Sequence, residues 1–140
     1  MRRWVLILVL PFLALSCHRP ASTEAFIRGD GPYRFTVDMS DSTARYDFDL
    51  YTRIDAKAYP AEVRLEMMWK DPADSVFRET VYLPVSDGPT QFSHEAYAPY
   101  RADVVPAQWG EWTLEITVPE RPEGLCGMGL VTRKIWDTEN

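Results

Sequence analysis

Five stretches of this chain alternate apolar and polar residues with a period of two, and that pattern leaves little room for anything but β-sheet. Tyr33, Phe35 and Val37 interleave with Arg34, Thr36 and Asp38, and Tyr46, Phe48, Leu50, Thr52 and Ile54 interleave with Asp47, Asp49, Tyr51, Arg53 and Asp55. Val63, Leu65, Met67 and Trp69 stand against Glu62, Arg64, Glu66, Met68 and Lys70. Phe77, Val81 and Leu83 stand against Arg78, Thr80 and Tyr82, with Glu79 on the otherwise apolar side near its edge. Trp112, Leu114, Ile116 and Val118 against Thr113, Glu115 and Thr117 form the cleanest run. Successive side chains of a strand point to opposite faces, so each run predicts one dry and one wet face. No window sustains the three-and-four spacing of an amphipathic helix. Ser40-Asp41-Ser42 and Asp71-Pro72-Ala73-Asp74-Ser75 supply turns through side-chain bonds to the backbone. A last strand is read within Gly124 to Ile135, where Gly124, Gly127 and Gly129 point to a bulge or a close backbone approach. About seven short, mostly antiparallel strands with one apolar face each are satisfied by two sheets packed face to face, so an all-β sandwich is expected over residues 33–140.

Ahead of that domain the chain reads as an export and anchoring segment. Arg2 and Arg3 precede an apolar run from Trp4 to Ser16, shorter than the roughly 20 residues that span a bilayer as a helix. The run ends in Leu13-Ala14-Leu15-Ser16 directly before Cys17, the order of a bacterial lipobox, in which the thiol is acylated and the peptide is cut before it. Residues 1–16 are therefore a lipoprotein signal peptide and Cys17 is the lipidation site. The alternative is a Cys17–Cys126 disulfide in an ordinary secreted protein. Residues 17–32 carry two prolines, Gly29 and Gly31 and no periodicity, and read as a lipidated tether. With Cys17 acylated, Cys126 is left as a small buried hydrophobe between Leu125 and Gly127. The expected location is the cell envelope, lipid-anchored in the outer membrane, with the periplasmic face preferred because no acidic cluster follows Cys17.

Charge excludes one class of partner. Cleavage before Cys17 removes Arg2 and Arg3 and takes the net charge from −6 to −8. DNA and RNA affinity rests on Lys and Arg neutralising phosphates, so no nucleic-acid partner is expected. At 46% apolar and 13% aromatic residues the chain has ample material for a core, which excludes disorder.

Chemistry-bearing residues are sparse. Asp38, Asp41, Asp47 and Asp49 supply oxygen, but their spacing is not that of a calcium loop, and the simpler reading makes Asp41 a turn former and Asp47 and Asp49 the wet face of a strand. Glu62 and Glu66, separated by Arg64, read as members of cross-strand ion pairs rather than an acid/base pair. His18 lies in the tether and His94 in a loop, so a Ser-His-Asp or Cys-His arrangement would rest on His94 alone, and no catalytic residue, metal or cofactor is assigned. The stretch Pro84 to Gly110 lacks clear alternation and concentrates Phe92, His94, Tyr97, Tyr100, Arg101 and Trp109. Aromatic residues beside arginine are enriched at protein interfaces, which makes Tyr97, Tyr100 and Arg101 the candidate partner-binding residues. The competing reading folds these side chains back over the open end of the sandwich, Trp109 above all, with Val104 and Val105 in a short extra strand. A carbohydrate-binding alternative rests on Tyr51, Tyr82 or Tyr97 stacking on sugar rings.

The run PYRFTVDMSDSTARYDFDLYTRIDAKAYPAEVRLEMMW, the later GEWTLEITV and the closing GLCGMGL resemble the gliding motility-associated lipoprotein H (GldH) family of the Bacteroidota. The matching features are Phe35, Asp41, the stretch Tyr46 to Tyr51, Arg53, Tyr59-Pro60 and Val63 to Trp69, and the chain departs from the family after Val118, at Pro119 to Glu123. The resemblance implies a small all-β lipoprotein of the outer-membrane region, associated with gliding machinery through protein partners, without enzymatic activity or a cofactor.

Overall fold

The computed structural model describes residues 22–136. All of its elements are strands: β1 (Ser22–Arg28), β2 (Tyr33–Met39), β3 (Ala44–Ile54), β4 (Glu62–Lys70), β5 (Val76–Thr90), β6 (Ser93–Val104), β7 (Gly110–Thr117) and β8 (Gly127–Trp136). They form one antiparallel sheet in the order β1-β8-β3-β6-β5-β4-β7-β2. The all-β expectation holds, and the alternating runs lie on β2, β3, β4, β5 and β7. Along β2, Tyr33, Phe35, Val37 and Met39 are buried and the residues between them exposed. Tyr46, Phe48, Leu50 and Ile54 of β3 and Leu114 and Ile116 of β7 join them in a single core.

Two separate sheets of seven strands give way to one folded sheet of eight. The connector is β5, fifteen residues long, which pairs with β4 from Val76 to Pro84 and with β6 from Val85 onward. The exchange falls at Pro84, which has no N–H to donate to a ladder. The strand thus carries the chain from one half of the sheet to the other, and the halves close on a shared core. Phe48 of β3 meets Trp69 of β4 across it, with ring centroids 5.5 Å apart.

Three expected boundaries move. Residues 22–28 belong to β1 rather than to the tether: they form a seven-residue ladder with β8. Strand β1 is mostly exposed on both faces, so its sequence lacks the alternation that marks a strand with one buried face. The stretch 84–110 is mostly strand, comprising the end of β5 and all of β6. Burial still alternates along β6 up to Tyr100, but the inward positions His94, Ala96 and Ala98 are polar or small and do not read as a dry face. Beyond Pro99, register shifts opposite Tyr46 to Asp49 flip the face on which later residues fall. Val104 closes β6, and Val105 lies beyond it. Residues 1–16 and Cys17 lie outside the described residues.

The glycines near the end of the chain allow β1 to dock. Gly127 sits at φ +157°, where a Cβ would come within 2.2 Å of the Ile27 carbonyl oxygen on β1. Gly127→Ala is expected to cost more than about 1 kcal/mol and to speed amide exchange in Ala25 to Ile27 selectively, because backbone cannot yield as a flexible side chain can.

Candidate functional site

The sheet is split at one place. β5 and β6 pair only where Val85 to Thr90 faces Ser93 to Ala96. Before Pro84, β5 has only β4 as ladder partner, and beyond Ala96, β6 has only β3. The two strands diverge from there, and an apolar cleft of about 290 Å³ opens between the halves of the sheet. Phe48, Trp69, Phe77 and Trp112 form its aromatic wall, and Val105 and Pro106 stand at its lip. Phe77 stacks on Trp112 with centroids 6.1 Å apart, and Trp69 meets Trp112 edge-on at 6.1 Å. The Trp112 indole N–H donates to the Gln108 carbonyl at 2.9 Å, so the ring is buried without an orphaned donor.

Polar side chains bridge the split. Glu79 of β5 accepts from the Tyr100 hydroxyl and, at 2.5 Å, from Arg101 Nη2. Tyr100 also accepts from the Trp69 indole at 2.8 Å. Burial, and then the bond to Glu79, push the Tyr100 phenol up to about 12, so it stays a donor at neutral pH. The bulges account for Arg101: they place it opposite Phe48 in register, on the side that lines the cleft. Glu79 was legible in the sequence as an acid at the edge of an apolar face, and its partners explain that position.

The three expected partner-binding residues do not lie together. Tyr100 and Arg101 flank the cleft, whereas Tyr97 lies on the outer face of the sheet, paired in register with Tyr51. The Tyr97 hydroxyl donates to Asp49, which also binds Arg133 Nη1 at 2.8 Å. Asp49 is therefore covered rather than wet, at 3% exposure. The Arg133 bond holds its carboxyl below the usual range against the opposing effect of burial, with Tyr97 adding to the depression. A depressed folded value means that the stabilisation is present above the unfolded value of about 3.9 and fades as pH falls through the lower folded one. Asp49→Asn is expected to cost about 1–3 kcal/mol at pH 7 and to flatten the decline of stability between pH 5 and 2, measured by urea unfolding.

Other sequence candidates resolve individually. The Trp109 side chain does not fold back: it is 40% exposed. Phe77, expected on the dry face, is 50% exposed because it stands at the split rather than under a neighbouring strand. His94 is in β6 and buried, with Nε2 3.1 Å from the Gln91 carbonyl and Tyr59 stacked on its ring at 3.7 Å. Cys126 is only partly buried. Its thiol donates to Asp55 at 3.2 Å, and burial and that carboxylate push it up, away from the reactive thiolate. The ion pair expected across strands runs along β4 instead, from Arg64 to Glu66 at 2.7 Å, while Glu66 accepts from Thr80 across the ladder. Asp38 and Asp41 accept from Ser40 and Thr43 in their own turn, and Asp47 accepts from the Asp103 backbone. Among the described residues no group of three or more His, Cys, Asp and Glu is placed to hold a metal ion. Tyr82 lies apart in a groove with Tyr59, Glu62 and Glu120.

No protein-family model matches the chain, and no curated protein matches it.

Proposed function

We propose that this chain is a non-enzymatic, lipid-anchored envelope protein that binds a protein partner at the split between β5 and β6, in the manner of a gliding motility-associated accessory lipoprotein. The observation that carries the reading is the cleft. Apolar side chains that a monomer would bury stay open to solvent there, with Phe77 at 50% and Val105 at 61% exposure, and a contiguous exposed apolar patch of this kind marks an interaction site. Its flanks are strand edges. An extended segment of a partner can add to such an edge through its backbone while one apolar side chain enters the cleft. Arg101, about half exposed, offers a second partner for a carboxylate beside it.

Anchoring at Cys17 fits that geometry. The five residues from Cys17 to the first residue of β1 reach at most about 18 Å. The Ser22 end of β1 pairs near Arg133 of β8, and the same end of β3 pairs Tyr46 with Val104 at the cleft. On a chain anchored at Cys17, the cleft is at the end of the sheet nearest the lipid. The position of Val105 makes it a clean test, because its exposure leaves the core untouched. Val105→Asp should remove co-purifying envelope proteins from the detergent-solubilised full chain while its melting temperature stays within about 2 °C. Tyr82→Ala, in the separate groove, should leave them. An unchanged partner set in Val105→Asp would move the binding site elsewhere.

A further inference from the structure

The outer face of the other half of the sheet carries a row of aromatic residues. Reading across four adjacent strands in register, Phe26 of β1 lies opposite Gly129 of β8, Gly129 opposite Tyr51 of β3, and Tyr51 opposite Tyr97 of β6. Gly129 is what lets the row lie flat: a Cβ there would meet the Tyr51 ring at 2.3 Å, so the ring rests on bare backbone. Phe26 stacks beside it with centroids 5.6 Å apart. Both tyrosines are fixed by their hydroxyls, Tyr51 to Glu24 at 2.5 Å and Tyr97 to Asp49. Tyr97 nevertheless leaves 56% of its surface to solvent.

Beside this platform runs a groove of about 590 Å³, within the range of ligand-binding clefts. The next register position on this face supplies its polar wall: Arg53 lies opposite Glu95, with Arg28 of β1 on the same side. Arg53 is bonded to Asp55 at 2.7 Å. Two guanidinium groups and two carboxylates balance one another, so the groove offers donors and acceptors without a net charge. An anionic ligand would meet Asp55 and Glu95, and a cationic one would meet Arg28 and Arg53. A neutral ligand whose groups both donate and accept, and which has an apolar face to lay on an aromatic ring, matches both features. The pyranose ring of a neutral glycan is such a ligand: its axial C–H bonds present a flat apolar face and its hydroxyls bond in both directions.

We propose that Phe26, Tyr51 and Tyr97 form a carbohydrate-binding platform for neutral pyranose oligosaccharides, with Arg28, Arg53, Asp55 and Glu95 bonding the ring hydroxyls. The platform is separate from the partner cleft. Its polar wall lies toward the Arg28 end of β1, away from the Ser22 end, so on an anchored chain it points away from the membrane.

Affinity electrophoresis and calorimetry of the detergent-solubilised full chain against neutral gluco-, manno- and N-acetylglucosamine oligosaccharides, with uronate oligomers in parallel, decide the matter. Binding to at least one neutral series is expected. Tyr97→Ala should weaken it about tenfold, the loss that one stacked ring represents. Tyr97→Phe, which keeps the ring and removes the bond to Asp49, should stay within about threefold, and Tyr82→Ala should match wild type. The melting temperature of each variant confirms that the sheet is intact. No binding to any neutral series, binding confined to uronates, equal affinity in Tyr97→Ala, or equal losses in Tyr97→Phe or Tyr82→Ala would each overturn the proposal. The partner cleft is read by a different variant, Val105→Asp, so the two assignments stand or fall separately.

Discussion

Trp112→Ala is expected to destabilise the domain by about 3–5 kcal/mol, a large share of the 5–15 kcal/mol typical of a natural fold. The indole is 7% exposed, stacks on Phe77, meets Trp69 edge-on and bonds the Gln108 carbonyl. Truncation removes one of the two indoles of the cleft wall and leaves a void that the ladders on either side of β7, to β2 and β4, prevent from collapsing. Urea unfolding should show a lower midpoint with an unchanged slope. Trp109→Ala, three residues earlier and 40% exposed, should cost less than about 1 kcal/mol. An unchanged midpoint for Trp112→Ala would mean that the phase of β7 is wrong.

The second large effect concerns the anchor. Removing the Cys17 thiol eliminates the proposed acylation site, and an acidic domain has no electrostatic hold on anionic lipid. Cys17→Ala is expected either to persist uncleaved on its apolar segment or to appear in the soluble fraction after a salt wash, whereas wild type resists salt and partitions into detergent. Domain folding should survive, because β1 begins only at Ser22 and Cys126 bonds Asp55 rather than another thiol. Intact-mass measurement of wild type settles the chemistry. A Cys17–Cys126 disulfide without acyl chains would rule out the lipid site and the envelope location that depends on it.

The strands that bury one face were legible because that burial forces alternation, as Tyr33, Phe35 and Val37 on the edge strand β2 and Trp112, Leu114 and Ile116 on β7 illustrate. Strand β1 was hidden because it buries neither face and is held by backbone bonds to β8, which impose no pattern on its side chains. Strand β6 was hidden for a different reason. Its inward positions before Tyr100 are polar or small, and beyond Pro99 bulges break the period and swing Arg101 onto the cleft side. The feature that concealed the strand thus built part of the candidate site. Asp49 shows a third limit: its outward phase was right, but Arg133 and Tyr97 from neighbouring strands cover it, and only tertiary pairing reveals that. Tyr100 and Arg101 were found by composition. Glu79, which joins them across the split, carried a readable sign in its misplacement on an apolar face.

The most direct test of the proposed partner site is a photo-reactive amino acid placed at Val105 of the full chain in intact cells. Ultraviolet irradiation should yield a discrete higher-mass adduct containing an envelope protein. The same group at Arg34, whose side chain points outward from β2 and is 69% exposed, should yield none. The Val105 adduct should also disappear when Phe77→Asp places a charge inside the cleft. A Val105 adduct that persists unchanged with Phe77→Asp, or irradiation that produces no adduct at Val105, would contradict the assignment of the β5–β6 split as the surface through which this protein works.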